Sequence, residues 1–471
     1  VPDAVAGHQA AFLGALPPHR IIELAISLPL HDPARRRDLL ARLYDPASSE
    51  FRHYLSVNEF TARFCPSGKD YAELRKFAEK SRLHIRNETA NRRVLDVFGQ
   101  AADVEQAFNI RIGLYQHPTE NRIFMAPDRE PNADLALPIL HVSGLDDFPL
   151  PFTHWGRGRP SGAAADVAHR LHTGSGPDGN FIDGDVRRAY YSGYVLDGAG
   201  QSLGLLEYKG HNLADVENYF ARVGQPLNVP VVGVSLNGAR LNCRGGCDDS
   251  EQVLDMQEAI SMAPGLAQIV VFVGHTDVSI LNQMAVDDTS KQLSSSWGWH
   301  PDPEVTDPIF EEFAAKGQSF VDATGDYGYQ LKKGAVWPAD DRNVTAIGGT
   351  DLVTKGPGLA SKRESGWVYG GGGSSPDGIA IPGYQLPFVA RANGASATLR
   401  NVPDIAGDAN TNNFSCYDGG CSIGNGGTSY AAPLWAGHIA LANQRAAQAG
   451  KPPIGSLNPT LYSLGGRPFY K

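Results

Sequence analysis

Residues Gln201–Gly224 read QSLGLLEYKGHNLADVENYFARVG. The apolar run Ser202–Tyr208 has the length of a buried strand. Leu213–Val223 then spaces its apolar residues at helical intervals. The same alternation continues downstream. Val231–Leu236, Gln268–Val273, Gln292–Ser296, Ser319–Ala323 and Val344–Ile347 read as strands, and Ser250–Ala263 and Val305–Lys316 as helices. Strands spaced by helices imply an α/β domain, a mostly parallel sheet covered on both faces. Beyond about residue 350 the chain turns to Gly-rich loops and closes with a helix from Ser429 to about Arg445.

Upstream the pattern is different. Ile21–Leu30 and Val94–Phe98 read as strands, and Pro33–Tyr44, Asp70–Arg82 and Ala101–Phe108 as helices. Ile110–Tyr115 and Arg122–Ala126 form a hairpin-like pair. This double β-α-β alternation predicts a ferredoxin-like α+β module. Composition changes at the same place: residues 1–155 hold 6 of the 53 glycines. We therefore divide the chain into a module at 1–154, a linker at 155–180 and a larger domain at 181–471. The linker is rich in Gly, Ala and Pro and lacks periodicity, as expected of an exposed segment open to proteolysis.

With 471 residues, 42% hydrophobic and 20% charged, the chain can bury more than one core. A net charge of −10 argues against nucleic-acid and anionic-membrane partners, which need a cationic excess. No apolar run approaches the ~18 residues of a membrane span. The N-terminal VPDAVAGHQAAFLG lacks a basic region followed by an apolar stretch, so no signal peptide is expected within this chain.

Two motifs carry chemistry. GGTSYAAP (Gly426–Pro433) places Ser429 between a Gly-rich loop and a helix start. There a hydroxyl can attack a carbonyl while free backbone N–H groups hold the oxyanion. A plain helix cap is the competing reading of an isolated Gly-Thr-Ser. No histidine lies in a motif suited to serve that serine. DDSEQVLD (Asp248–Asp255) supplies an alternative, because Glu251 and Asp255 stand at i and i+4 on one helix face. Paired carboxyls share a proton and can act as base and orienter at acidic pH. Taken alone, the spacing equally describes a solvated acidic face, with Glu258 a bystander one turn on.

Together these motifs resemble the sedolisin (serine-carboxyl peptidase) family, including its kumamolisin-like members. FVDATGDYG (Phe320–Gly328) resembles the family's oxyanion segment, which assigns the oxyanion donor to Asp326. GLLEYKGHNLADVENYF resembles its first core strand and helix, and SSSWG (Ser294–Gly298) a substrate-side strand. GGGGSSPDGIAIPGYQ and NVPDIAGDAN resemble later family segments. Residues 50–147, with EFRHYLSVNEFTARFCPS, resemble its activation prosegment. Glu207 and Trp297 align with positions that hydrogen-bond the catalytic Glu.

The resemblance implies a subtilisin-like catalytic domain behind a ferredoxin-like prodomain, made as a self-processing zymogen. It implies an acid-acting endopeptidase cutting protein or peptide substrates through Ser429, Glu251, Asp255 and Asp326. The alternatives are a tripeptidyl exopeptidase of the same family and an inactive, peptidase-like binding protein. The prodomain is expected to act as an intramolecular inhibitor, with Arg157, Arg159, His169, Arg170 and His172 of the linker making its hold pH-sensitive. A monomer in an acidic extracellular or periplasmic setting is expected. Calcium is expected from resemblance only: the family's C-terminal Asp-Ile-Thr ligand segment is not found before GGRPFYK at the end of this chain. Two local disulfides, Cys243–Cys247 and Cys416–Cys421, fit an exported enzyme. Convergence of the four cysteines on zinc is the alternative. Cys65 reads as a small buried hydrophobe.

Overall fold

A computed structural model of the chain describes all residues except 158–172, 192, 194, 244–247, 330–336, 391–392 and 466–471. In the N-terminal module, four antiparallel strands lie in the order His84–Glu88, Val94–Gln100, Ile21–Ser27, His141–Ser143. Helices Gly68–Lys80 and Ala101–Phe108 bury Tyr71, Leu74, Phe77, Val104 and Phe108 against this sheet. That is the ferredoxin-like arrangement, with one correction to the sequence reading. The hairpin Ile112–Gln116/Ile123–Pro127 does not close the sheet. It pairs instead with an N-terminal strand, Ala11–Ala15, and the short strand His141–Ser143 supplies the fourth position. Periodicity shows that a hairpin exists but not which edge it joins.

The larger domain carries an eight-stranded sheet. Its order is Val231–Ser235, Gln268–Val273, Ser202–Glu207, Gln292–Ser295, Ser319–Ala323, Thr345–Thr354, Ser361–Gly366, with Ile405–Asp408 also beside Thr345–Thr354. All pairs are parallel except the last hairpin. The strand order reverses around Ser202–Glu207, and a ligand cleft in such sheets opens at the carboxyl ends there. A helix absent from the sequence reading, Asp277–Asp287, covers one face. Most of it is buried, so it has no polar stripe to set its period.

Two helices on the other face decide the site. The acidic helix, Ser250–Met262, is buried along its whole length. The serine helix, Thr428–Gln448, crosses it where Gly437 approaches Met262 and Ala259. A Cβ on Gly437 would stand 2.8 Å from Met262 Cβ and 3.0 Å from the Ala259 carbonyl oxygen. Gly437→Val should therefore push the helices apart, cost ~1–3 kcal/mol by overpacking, and lower kcat more than KM. A denaturation midpoint measured beside kcat checks this; an unchanged midpoint and rate would contradict the close-crossing account.

The two modules share buried polar contacts. Arg36 Nε pairs with Glu311 at 2.7 Å. Ser279 Oγ and Asn237 Nδ2 donate to Asp96 Oδ1 at 2.6 and 3.1 Å. Asn91 Nδ2 donates to Asn282 Oδ1 at 2.8 Å, and an Arg93 guanidinium N–H donates to the Val305 carbonyl at 2.6 Å. The linker does not begin as a loose tether. Phe152–Thr153 pairs with Trp297–Gly298, and Trp155–Arg157 with Asn425–Gly427. The first three residues of the linker are thus paired along one strand edge. Arg159, His169, Arg170 and His172 lie outside the described residues.

Cys416 and Cys421 form a disulfide. Cys243 is also disulfide-bonded, and Cys247 lies outside the described residues. Cys65 is free and buried, and burial pushes its thiol up to about 12. Among the described residues, no helix is long and apolar enough to cross a membrane.

Candidate active site

Ser429 enters from the strand Gly420–Gly427 through a sharp turn into the serine helix. Gly427 has φ 144° at that turn, a backbone region that disfavours side chains. Ser429 is therefore the second residue of a helix and is fully buried. Its hydroxyl lies close enough to the Glu251 carboxyl to favour the charged form, without the alignment of a formed hydrogen bond. Such contacts commonly tighten only as the reaction proceeds.

Glu251 and Asp255 occupy the first two turns of the acidic helix and are 2% and 0% exposed. That burial removes the solvated-face reading, and Glu258, at 6%, is buried as well. Burial pushes both Glu251 and Asp255 well above the usual carboxylate range. Asp255 adds to the rise at Glu251, with smaller contributions from Glu207 and Asp326. The Ser296 hydroxyl opposes it at Asp255, donating to Oδ1 at 2.8 Å. Two oxygens of Glu251 and one of Asp255 have no other protein donor, and buried acids in that state hold protons between them.

Glu207 ends the strand Ser202–Glu207 and is completely buried. Trp297 Nε1 donates to its Oε2 at 2.8 Å. Burial and the nearby Asp255 raise Glu207 well above its ordinary value, and the indole hydrogen bond partly opposes them. Trp297→Phe removes that donor. We expect kcat/KM to fall ~5–30-fold and the acid limb of the pH profile to move upward, since a bond to the charged carboxylate is lost. A parallel drop at every pH would make Trp297 a packing residue only.

Asp326 follows the strand Ser319–Ala323 and reaches the start of the serine helix. Its Oδ1 accepts from Thr428 N at 2.9 Å and Thr428 Oγ1 at 3.0 Å. Thr428 Oγ1 accepts in turn from Gly325 N at 3.0 Å. The structure thus brings Ser429, Glu251, Asp255, Glu207, Trp297 and Asp326 to one end of the sheet.

Three participants are absent from the sequence reading. Ser296 joins Asp255 to the serine helix, reaching the Ser429 carbonyl at 3.4 Å. Thr428 ties Asp326 in place. Asp322, fully buried, stands beside Ser295 in the strand register and raises no local signal in the sequence. Burial lifts its carboxyl well above the ordinary range, and the Asp255 and Asp340 charges add to that. Among the described residues no group of three or more His, Cys, Asp or Glu side chains forms a cation site. The mechanism proposed for the site uses no metal ion.

The chain is similar to several known proteins. Residues 8–148 match the family model described as the pro-kumamolisin activation domain. Kumamolisin from Bacillus sp. (strain MN-32) is 33% identical over 458 residues, covering 89% of this chain and 79% of that protein. Sedolisin from Pseudomonas sp. (strain 101) is 26% identical, covering 93% and 78%. Tripeptidyl-peptidase 1 of Mus musculus is 24% identical, covering 96% and 84%. Among solved structures, Pseudomonas sedolisin complexed with pseudo-iodotyrostatin superposes with a TM-score of 0.53 at 24% identity. That match covers 61% of this chain and 86% of the solved one, and it shows the fold.

Proposed function

Since this chain belongs to the sedolisin family of serine-carboxyl peptidases, a serine-type hydrolase with an activation prodomain, we propose that it is an acid-acting, self-processing endopeptidase. Ser429 is the nucleophile. Glu251 removes its proton, and Asp255 orients Glu251 and shares that proton. Protonated Asp326 and the backbone N–H of Ser429 receive the oxyanion. Trp297 fixes Glu207 by one hydrogen bond, and Glu207 acts on Glu251 through its charge. The single observation that carries this reading is the convergence of Ser429 with buried Glu251 and Asp255, remote in sequence and with raised carboxyl pKa values. A carboxyl ionises below the range of imidazole, so it can still accept a proton where imidazole is already charged.

The course of the prosegment supports endopeptidase over tripeptidyl exopeptidase action. The chain passes through the cleft, pairing on one side with Trp297–Gly298 and on the other with Asn425–Gly427. A cleft made to remove tripeptides needs a wall three residues before the scissile bond. The test incubates the processed enzyme at about pH 4 with an N-terminally blocked decapeptide and its unblocked counterpart. Comparable cleavage of both is expected; strict dependence on the free amine, with release of tripeptides, would replace this reading by the exopeptidase one. An extracellular, acidic site of action belongs to the same proposal.

A further inference from the structure

We propose that the peptide bond His154–Trp155 is the first site of self-processing, with His154 filling the pocket on the acyl side of the scissile bond. The inference rests on the peptidase reading above and adds to it a specific bond in this chain.

Backbone register selects the bond. Phe152 and Thr153 lie opposite Gly298 and Trp297, antiparallel. The His154 N–H continues that ladder, donating to the Ser296 carbonyl at 3.1 Å. On the far side Trp155, Gly156 and Arg157 lie opposite Gly427, Gly426 and Asn425. One peptide link joins the two ladders, and it is His154–Trp155. Its position relative to the catalytic groups follows from the same contacts. Ser296, which holds His154, donates to Asp255 and reaches the Ser429 carbonyl. Gly427, which faces Trp155, precedes Ser429 by two residues. The link is thus stretched across the mouth of the site and clamped on both flanks, as an intramolecular reaction at a fixed distance requires.

The His154 side chain is consistent with a seated substrate residue. It is 2% exposed, and its ring meets Phe152 edge to face at 5.4 Å between centroids. Neither ring nitrogen has a hydrogen-bond partner, so the pocket accepts the imidazole by shape and in its neutral form. Burial without a partner holds its pKa down to about 3.

The chemistry balances with water as the only co-reactant. Ser429 Oγ bonds to the His154 carbonyl carbon while Glu251 takes the hydroxyl proton. The C–N bond to Trp155 breaks, and the amine leaves with that proton. Water then opens the ester, giving a His154 carboxylate and restoring Ser429. The products are a prodomain ending at His154 and a chain beginning at Trp155.

The test follows purified full-length protein and its Ser429→Ala variant after a shift to about pH 4. Intact mass and N-terminal sequencing of the earliest fragments are read over time. A first product beginning at Trp155, absent from the variant, is the expected result. Trp155→Pro should slow its appearance at least 10-fold, because the imino nitrogen no longer fits that ladder. Should that variant fold poorly, a synthetic peptide LPFTHWGRG given to processed enzyme should be cut between His and Trp. A first cut elsewhere that still requires Ser429 overturns the assigned bond and leaves the peptidase reading standing. Equal processing of wild type and Ser429→Ala, or none in either with no peptide hydrolysis, overturns both.

Discussion

Ser429→Ala is expected to lower peptide hydrolysis by ~10⁴-fold or more and to leave the protein at full length after acidification. The hydroxyl is buried beside Glu251 and makes no aligned hydrogen bond, so its removal leaves the fold and denaturation midpoint nearly unchanged. Glu251→Gln should cost ~10²–10⁴-fold, because the amide keeps the shape of the side chain but cannot accept the proton. The double variant should be little worse than Ser429→Ala alone. Groups that act as one unit fail together, and an additive loss would mean that Glu251 works on some step other than activating Ser429. Kinetics of the three variants with one peptide, alongside circular dichroism, decide the matter. Retention of self-processing by Ser429→Ala would remove it as the nucleophile.

The second large effect is in pH. Activity needs Glu251 able to accept a proton and Asp326 able to donate one, which confines it to a window between coupled carboxyl ionisations. The optimum should fall well below neutrality; a maximum at about pH 7–8 would point to a histidine base instead. Stability should move in the same direction. Burial raises Glu207, Glu251, Asp255, Asp322 and Asp408 well above their ordinary values. A folded-state pKa above the unfolded one means that folding takes up protons. The stabilisation is complete below the unfolded value near ~4 and is lost as pH rises towards the folded values. Two buried histidines oppose this. His154 and His438 are held down to about 3 and about 4, so each withdraws stability as pH falls below ~6.5. Asp341 is raised well above its ordinary value as well, and burial also lowers His211 and His275; the six strongly raised carboxyls outweigh these histidines. We expect the melting temperature of Ser429→Ala, which cannot digest itself, to be several degrees higher at pH 4.5 than at pH 7.5. A higher value at pH 7.5 would mean that these carboxyls are ionised and paired in the folded protein.

Local signals carried much of this molecule. Leu213–Val223, Gln268–Val273, Ser319–Ala323 and Ala101–Phe108 occupy the spans their periodicity predicts, since period and flanking stop signals are properties of short segments. The i, i+4 spacing put Glu251 and Asp255 on one face before any tertiary contact was known. The fold class likewise needed no more than neighbouring residues and their order.

Burial and long-range pairing came only from the tertiary structure. A helix reading Glu-Gln-Val-Leu-Asp looks solvated until the fold buries it along its whole length, and that burial raises both of its carboxyls. Ser296, Thr428 and Asp322 have side chains common in any loop or strand, so their ties to Asp255 and Asp326 are invisible without the register of the sheet. The hairpin Ile112–Gln116/Ile123–Pro127 went to another sheet for the same reason: period-2 alternation marks a strand but carries no information on its partner. His154 is the sharpest case. Nothing in its neighbours distinguishes it from the other histidines, and only the two strand ladders that meet on either side of it single it out.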